Sequence, residues 1–167
     1  MSKRAVNLLR KMGGDFSVAG ANFRSQKRKI VAVSAAKTLT ADDSGTTIYW
    51  THSASNHNIT LPAATVGLHF RFVIAVGHAA AHDIECAGSD EVFGKVTVVS
   101  KTENKTDTQA VAKAAGDTKI SLHATTVTLG GDYGDVIELV CVEEGYWLCS
   151  AQLHLRTGNP SGTAVLN

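Results

Sequence analysis

The arrangement of apolar residues between Ile30 and Leu155 constrains the fold of this chain more than any other feature. Short apolar runs alternate there with clusters of Gly, Asp, Ser and Asn, residues that favour turns. In the clearest run, HFRFVIAV, apolar residues recur at every second position on one face: Phe70, Phe72, Ile74 and Val76. No alternation of strands with helices appears, which disfavours a doubly wound α/β fold. We predict an all-β fold, an antiparallel β-sandwich or barrel.

The composition agrees with this prediction, because the chain has 17 valines and 17 threonines, and β-branched side chains fit a pleated surface. We predict nine strands: Ile30–Ser34, Thr46–His52, Asn58–Leu61, His69–Val76, Val92–Ser100, Ile120–Ala124, Thr126–Leu129, Val136–Glu143 and Tyr146–Leu155. Residues 108–115 are open to two interpretations, a short helix or a loop. No apolar run approaches the length of about 20 residues that a membrane-spanning helix needs.

The last two predicted strands form the clearest hairpin, with Gly145 in its turn. Both faces of these strands are apolar, so we expect them to lie centrally between layers. A hairpin loop over residues 144–146 would place Cys141 opposite Cys149, where a disulfide is conceivable, whereas a shift of one residue separates them. Three cysteines and no signal peptide indicate a reducing compartment of synthesis, which favours buried free thiols. The tail, 156–167, is expected to reach a neighbouring subunit.

Charge divides the chain into a basic N-terminal arm, residues 1–29, and an acidic remainder. The arm holds eight basic side chains and one acid, a formal charge of +7, and the remainder holds eight basic and 14 acidic side chains, −6. Residues 3–12 predict a short amphipathic helix. The resulting organisation is an arm over 1–29, a β-rich body over 30–155 and a tail over 156–167.

Such asymmetry indicates that the arm binds a surface of opposite charge, although a solvated tail without a partner is the alternative. The predicted partner-binding residues are the basic side chains of the arm and the apolar side chains of its helical face: Lys3, Arg4, Leu8, Leu9, Arg10, Lys11, Met12, Arg24, Lys27, Arg28 and Lys29.

Signatures of enzyme chemistry are not found in the sequence. The segment GSDEVFGKV is similar to a phosphate-binding loop, but its glycines are one residue too far apart and Val96 stands where a hydroxyl is required. No dinucleotide-binding or nucleophile-elbow motif occurs. We therefore predict a protein that is not an enzyme and has no cofactor.

Two polar or aromatic groups have competing interpretations. The first is GHAAAHDIEC, which contains His78, His82, Asp83, Glu85 and Cys86. On a helix, its two histidines would share a face and could bind zinc, but its position after a strong strand favours a surface loop, so no metal site is predicted. The second group consists of four aromatic residues, which could form a sugar-stacking platform or belong to the core: Tyr49, Trp50, Tyr146 and Trp147. For Trp147 we expect the core. The other five histidines are scattered, and we expect them to be exposed or at a rim.

Three segments resemble β-rich virion structural proteins of tailed bacteriophages: KTLTADDSGTTIYW (37–50), NITLPAATVGLHFRFVI (58–74) and GDVIELVCVEEGYWLCSA (134–151). The resemblance covers about the last three-quarters of the chain, with gaps, and residues 92–131 lie outside it. It implies a noncatalytic structural domain, usually trimeric, of a kind found in decoration proteins, head fibres and tail fibres.

These observations predict a capsid decoration, or cement, protein that is made in the host cytoplasm, lies on the capsid surface of the virion and binds the major capsid protein or another virion protein. The alternative is a fibre or spike module that binds a host receptor or glycan. Nucleic-acid binding through the arm is less favoured, because DNA would repel the acidic body. We expect a homotrimer and no membrane partner.

Overall fold

The structure is a computed structural model that describes residues 29–52, 57–102, 105–123, 129–156 and 165–167. Most of the basic arm, residues 1–28, lies outside the described residues, as does the helix predicted within it. The same holds for all but one residue of the predicted strand Thr126–Leu129.

The described chain is all-β, as predicted. Its strands are β1 Ile30–Val33, β2 Lys37–Thr38, β3 Thr47–Trp50, β4 Ile59–Thr60, β5 His69–Ile74, β6 His82–Glu85, β7 Glu91–Ser100, β8 Thr106–Val111, β9 Lys119–Leu122, β10 Val136–Glu143 and β11 Tyr146–Leu155. A short 3₁₀ helix, Ala41–Asp43, precedes β3. Strand β8 includes residues 108–111 of the stretch 108–115, for which the sequence allowed a helix or a loop.

The strands form two sheets. The large sheet has seven strands in the order β1-β3-β5-β10-β11-β7-β8, and the small sheet has four in the order β2-β4-β6-β9. An antiparallel sandwich or barrel was predicted, but both sheets are mixed: β1-β3-β5, β7-β11 and β2-β4-β6 pair in parallel. Neither sheet closes on itself among the described residues. The parallel pairs among β1–β6 arise because these six strands alternate between the sheets, so each strand re-enters its sheet in the direction of its predecessor.

The hydrophobic core lies between the two sheets. In β5 the alternation predicted from the sequence places Phe70, Phe72 and Ile74 in this core, while Val76, beyond the strand, is 42% exposed. Ile59 and Ile84 enter the core from the small sheet. Both tryptophans are fully buried, which confirms the core position expected for Trp147.

The β10–β11 hairpin has the strand bounds that the sequence predicted, and Gly145 takes a φ of +79° in its turn. Cys141 pairs with Trp147 and Cys149 with Leu139, so the two thiols are free and buried, as favoured from the sequence. The expectation that both faces are covered is wrong. The hairpin is central in the sheet, between β5 and β7, but buried and exposed residues alternate along it. Its outer face exposes three apolar side chains: Val140, Val142 and Leu148.

The described part of the tail packs on its own chain, contrary to the expectation that the tail reaches a neighbour. Val165 and Leu166 are buried, and residues 165–167 exchange backbone hydrogen bonds with β9. The Gln109 side chain of β8 donates to the carbonyl oxygen of Leu166 at 2.8 Å and accepts from its N–H at 2.9 Å. This C-terminal segment, 165–167, therefore joins the edge of the large sheet to the edge of the small one.

Candidate functional site

The residues predicted to bind a partner lie outside the described part of the chain, with the exception of Lys29. Its Nζ atom lies 3.9 Å from Oδ1 of Asp43, and its side chain is largely exposed. An exposed ion pair of this length stabilises little. The structure therefore places one cation of the arm beside an acid of the body.

Four histidines instead come together inside the body. This histidine cluster consists of His52, His57, His78 and His82, of which His78 and His82 contact Trp50 and the half-buried His52 and His57 adjoin them. The ring centroids of His78 and His82 are 4.1 Å apart, as are those of His52 and His57. The Trp50 ring packs against His78 at 4.7 Å and against His82 at 5.5 Å, edge to face in both contacts.

Parallel pairing of β3 with β5 brings the histidine cluster together. Trp50 is opposite Ile74 in this pair, so the segments that follow the two strands begin side by side at the same end of the sheet. One segment carries His52 and the other carries His78, whose N–H donates to the carbonyl oxygen of Gly131 at 2.9 Å. His82 follows in β6, inside the small sheet. The surface loop expected for this segment is wrong, because His78 and His82 are both fully buried.

His78 is the most constrained member of the histidine cluster. Both of its ring nitrogens are buried without a hydrogen-bond partner among the described residues. Burial, followed by repulsion from the imidazoles of His82, His52 and His123, lowers the pKa of His78 to about 3. His78 is therefore neutral at physiological pH.

His82 contacts the backbone of His57 through one ring nitrogen. Its Nδ1 lies 3.1 Å from the N–H of His57 and 3.2 Å from the carbonyl oxygen of the same residue. A deprotonated Nδ1 accepts from that N–H, whereas a protonated Nδ1 can only donate to that oxygen. Whether Nδ1 carries a proton, which depends on the tautomer of the neutral ring as well as on its charge, thus decides which backbone group of His57 it binds.

The acidic and thiol groups once considered as metal ligands lie elsewhere. Asp83 and Glu85 alternate with His82 along β6 and point to its other face, where Asp83 accepts from Ser121 and Glu85 accepts from Asn58. Burial, followed by repulsion from nearby carboxylates, raises the pKa of the Cys86 thiol to about 12. Within the described ranges, no group of three or more His, Cys, Asp or Glu side chains is arranged to hold a metal ion.

A second polar cluster is centred on Asp135, a fully buried residue just before β10. Its carboxylate accepts backbone N–H bonds from Gly131, Asp132 and His154, each at 2.9 Å, and lies 2.6 Å from Nδ1 of His154. Burial raises the pKa of Asp135 despite these bonds. In hydrolases an Asp–His pair orients the imidazole for proton transfer. Here the pair connects the loop before β10 to the end of β11, which is the arrangement of a structural anchor.

Asp132 extends this cluster to the surface. It accepts from Lys101 at 2.7 Å and from Arg156 at 3.0 Å. Burial by itself would raise the pKa of Asp132, but the hydrogen bonds from Lys101, the backbone of Tyr133 and Arg156 outweigh it and lower the value to about 2. Both cations therefore neutralise a buried acid of their own body.

The aromatic residues do not form the sugar-stacking platform that was one interpretation of the sequence. Trp50 and Trp147 are fully buried, so neither offers a ring face to a ligand. Tyr49 is partly exposed on the outer face of the large sheet, and Lys113 lies 4.4 Å above the ring of Tyr146. Each tyrosine directly precedes a tryptophan in its strand and therefore points to the opposite face of the sheet.

The histidine cluster was missed because its members are far apart in the sequence. His52 and His78 become neighbours only through a parallel strand pair, and alternation in one strand carries no information about which strand lies beside it.

The described residues form no helix long and apolar enough to cross a membrane. Comparisons with protein-family models, curated proteins and solved structures find no match to this chain.

Proposed function

We propose that this protein is a noncatalytic structural component of a virion, a capsid decoration protein that binds the shell through residues 1–29. The observation that carries the proposal is the segregation of charge, +7 in the arm against −6 in the remaining chain. The resemblance of three segments of the body to virion proteins of tailed bacteriophages makes the capsid the first particle to test.

Ion pairs compensate part of the charge of the body internally. Several cations of the body pair with its own acids, as Lys119 does with Asp83 at 3.3 Å and Arg71 with Glu138 at 3.6 Å. Lys101 and Arg156 both form ion pairs with Asp132. The excess positive charge of the chain is therefore concentrated in the arm, where it can meet an acidic partner.

The strength of the anchor comes from many weak contacts that act together. A single exposed ion pair contributes about 0–1 kcal/mol. Seven net charges, combined with burial of Leu8, Leu9 and Met12, bind far more strongly than one pair. In a trimer, three arms that bind one particle gain further through effective concentration.

Cosedimentation with phage capsids that lack their own decoration protein tests the proposal. We expect the full chain to sediment with the shells at low salt and a chain without residues 2–28 to remain in the supernatant while keeping its β-sheet circular dichroism. A matched pair of charge reversals refines the result. Lys3→Glu with Arg4→Glu should weaken binding, and Lys95→Glu with Lys105→Glu, at exposed positions of the body, should not.

Two other classes of function give different outcomes in the same series. A fibre or spike module would bind host cells or purified glycans through the body even without residues 2–28. A nucleic-acid-binding arm would retain duplex DNA with an affinity that falls steeply with salt. Binding of the truncated chain to shells would refute the anchoring role of the arm.

A further inference from the structure

We propose that the histidine cluster is an acid-sensitive switch, which holds the small sheet on Trp50 at neutral pH and releases it when the imidazoles are protonated. The inference concerns the body and is independent of what the arm binds. It rests on two fully buried imidazoles, His78 and His82, that pack against the Trp50 indole and on two further imidazoles, His52 and His57, that adjoin them.

The contacts of His78 favour a neutral ring. At centroid separations of 4.1–6.0 Å, charges on two rings would repel each other in surroundings that contain little water. A doubly protonated His78 would carry two N–H donors, and neither ring nitrogen has a partner among the described residues. A protonated His82 would exchange the hydrogen bond from the N–H of His57 for one to the carbonyl oxygen of the same residue.

Among the described residues, the titratable groups that act on His78 are other imidazoles, which offer it no counter-charge. They come from the end of β3, strand β6 and the end of β9: His52, His82 and His123. The loop before β10 contributes Gly131, where an added Cβ atom would lie 3.5 Å from Nδ1 of His78, and the carboxylate of Asp132 beside Gly77. That carboxylate is already bound by Lys101 and Arg156.

The sign of the pH effect follows from the protonation of the open state, in which the small sheet has left Trp50 and His78 is exposed to water. An exposed histidine has a pKa of 6.5, whereas His78 in the folded protein has a pKa of about 3. Below pH 6.5 the open state therefore binds a proton that the folded state does not. The equilibrium for opening rises about tenfold per pH unit for each such proton. Opening is suppressed above pH 6.5 and is favoured progressively as the pH falls toward 3.

Local opening should begin at β6, the strand of the small sheet that carries His82. His82 lies in β6, which pairs with only four residues of β9 and two of β4, whereas β10 is paired along most of its length on both sides. Acid should therefore expose the amides of β6 before those of β10. This order distinguishes a switch at the cluster from acid unfolding of the whole body.

Hydrogen exchange of the full chain tests the inference. Between about pH 7 and about pH 5, after correction for intrinsic rates, we expect protection of the β6 amides to fall roughly 10- to 30-fold more than that of the β10 amides. His78→Phe keeps an aromatic ring against Trp50 and removes the titrating group, so it should reduce this difference. His69→Phe, on the exposed outer face, is the matched control and should leave the difference unchanged.

A second measurement keeps the inference testable if His78→Phe does not fold. The ring resonances of His78 in the unaltered protein, followed by NMR, should stay in the neutral form until the β6 amides lose protection. Titration of His78 near pH 6.5 with β6 still protected would overturn the proposal. Zinc chloride provides a further test: a rise in Tm at pH 7 that His78→Phe abolishes would make the cluster a metal site and would also overturn the proposal.

Discussion

Gly94 is the residue at which the fold leaves least room for a side chain. It lies in β7 opposite Cys149 of β11, has a φ of +130°, and a Cβ atom there would lie 2.1 Å from the carbonyl oxygen of Cys149. That oxygen belongs to the backbone of a strand that is also paired with β10, so it cannot retreat. The parallel pair β7–β11 therefore depends on a glycine at this position.

We expect Gly94→Ala to lower the free energy of unfolding by roughly 3 kcal/mol or more, since a backbone clash is added to a strained φ. Urea denaturation followed by tryptophan fluorescence measures the loss. Gly116→Ala is the matched control, because φ there is +88° but no atom lies within 4 Å of the new Cβ. Its cost should be only the roughly 1–2 kcal/mol of a left-handed alanine. Equal losses in both variants would contradict the close approach at Gly94.

Asp132 predicts a pH dependence separate from that of the histidine cluster. Its pKa is about 2 in the folded protein and 3.8 in the unfolded chain. The resulting stability, about 2 kcal/mol, is fully present above pH 3.8 and is lost as the pH falls toward 2. Asp132→Asn should remove this part of the stability–pH curve, measured as the urea midpoint at each pH. Asp42→Asn, at an exposed position, is the control. If Asp132→Asn and Asp42→Asn gave the same stability–pH curve, Lys101 and Arg156 would not stabilise the Asp132 anion.

Among the secondary-structure elements, the C-terminal segment closes one side of the body. It pairs with β9 of the small sheet and receives the Gln109 side chain from β8 of the large sheet. Two of its three residues are buried, so it contributes both hydrogen bonds and apolar area. It thereby holds together sheet edges that share no strand pairing.

Leu166→Ala should lower the free energy of unfolding by about 2–4 kcal/mol, because the side chain is 2% exposed and its loss leaves a cavity between the sheets. Val66→Ala, at a position 63% exposed, should change it by less than about 0.5 kcal/mol. Thermal denaturation by circular dichroism compares the two variants. Equal Tm values would mean that the C-terminal segment does not hold the sheets together.

The predictability of each element depended on how local its signal is. The bounds of β10 and β11 agree with the sequence prediction because two long apolar runs joined by one turn glycine define a hairpin without reference to other segments. Strands β2, β6 and β8 were missed because they are short or polar and are held by their neighbours in the sheets. The histidine cluster depends on the β3–β5 pairing, which no local pattern encodes.

At the scale of the whole molecule, charge segregation predicts how the chain behaves in solution. Residues 2–28 contain seven basic side chains and one acid, so their removal changes the formal charge from +1 to −5. At low ionic strength the arm of one copy should attract the body of another, and added salt should reverse this association. Light scattering should detect it for the full chain and not for the truncated one. Equal, salt-independent scattering from both chains would contradict an attractive arm.

Strands β5 and β7 are not neighbours in the large sheet, because the β10–β11 hairpin lies between them. Until that hairpin inserts, each of the two strands has an unpaired edge, and such edges bind whatever strand they meet first. A hairpin from another copy fits this gap as well as the protein's own. Refolding at high concentration should therefore yield dimers that have exchanged hairpins, whereas refolding at high dilution should yield monomers.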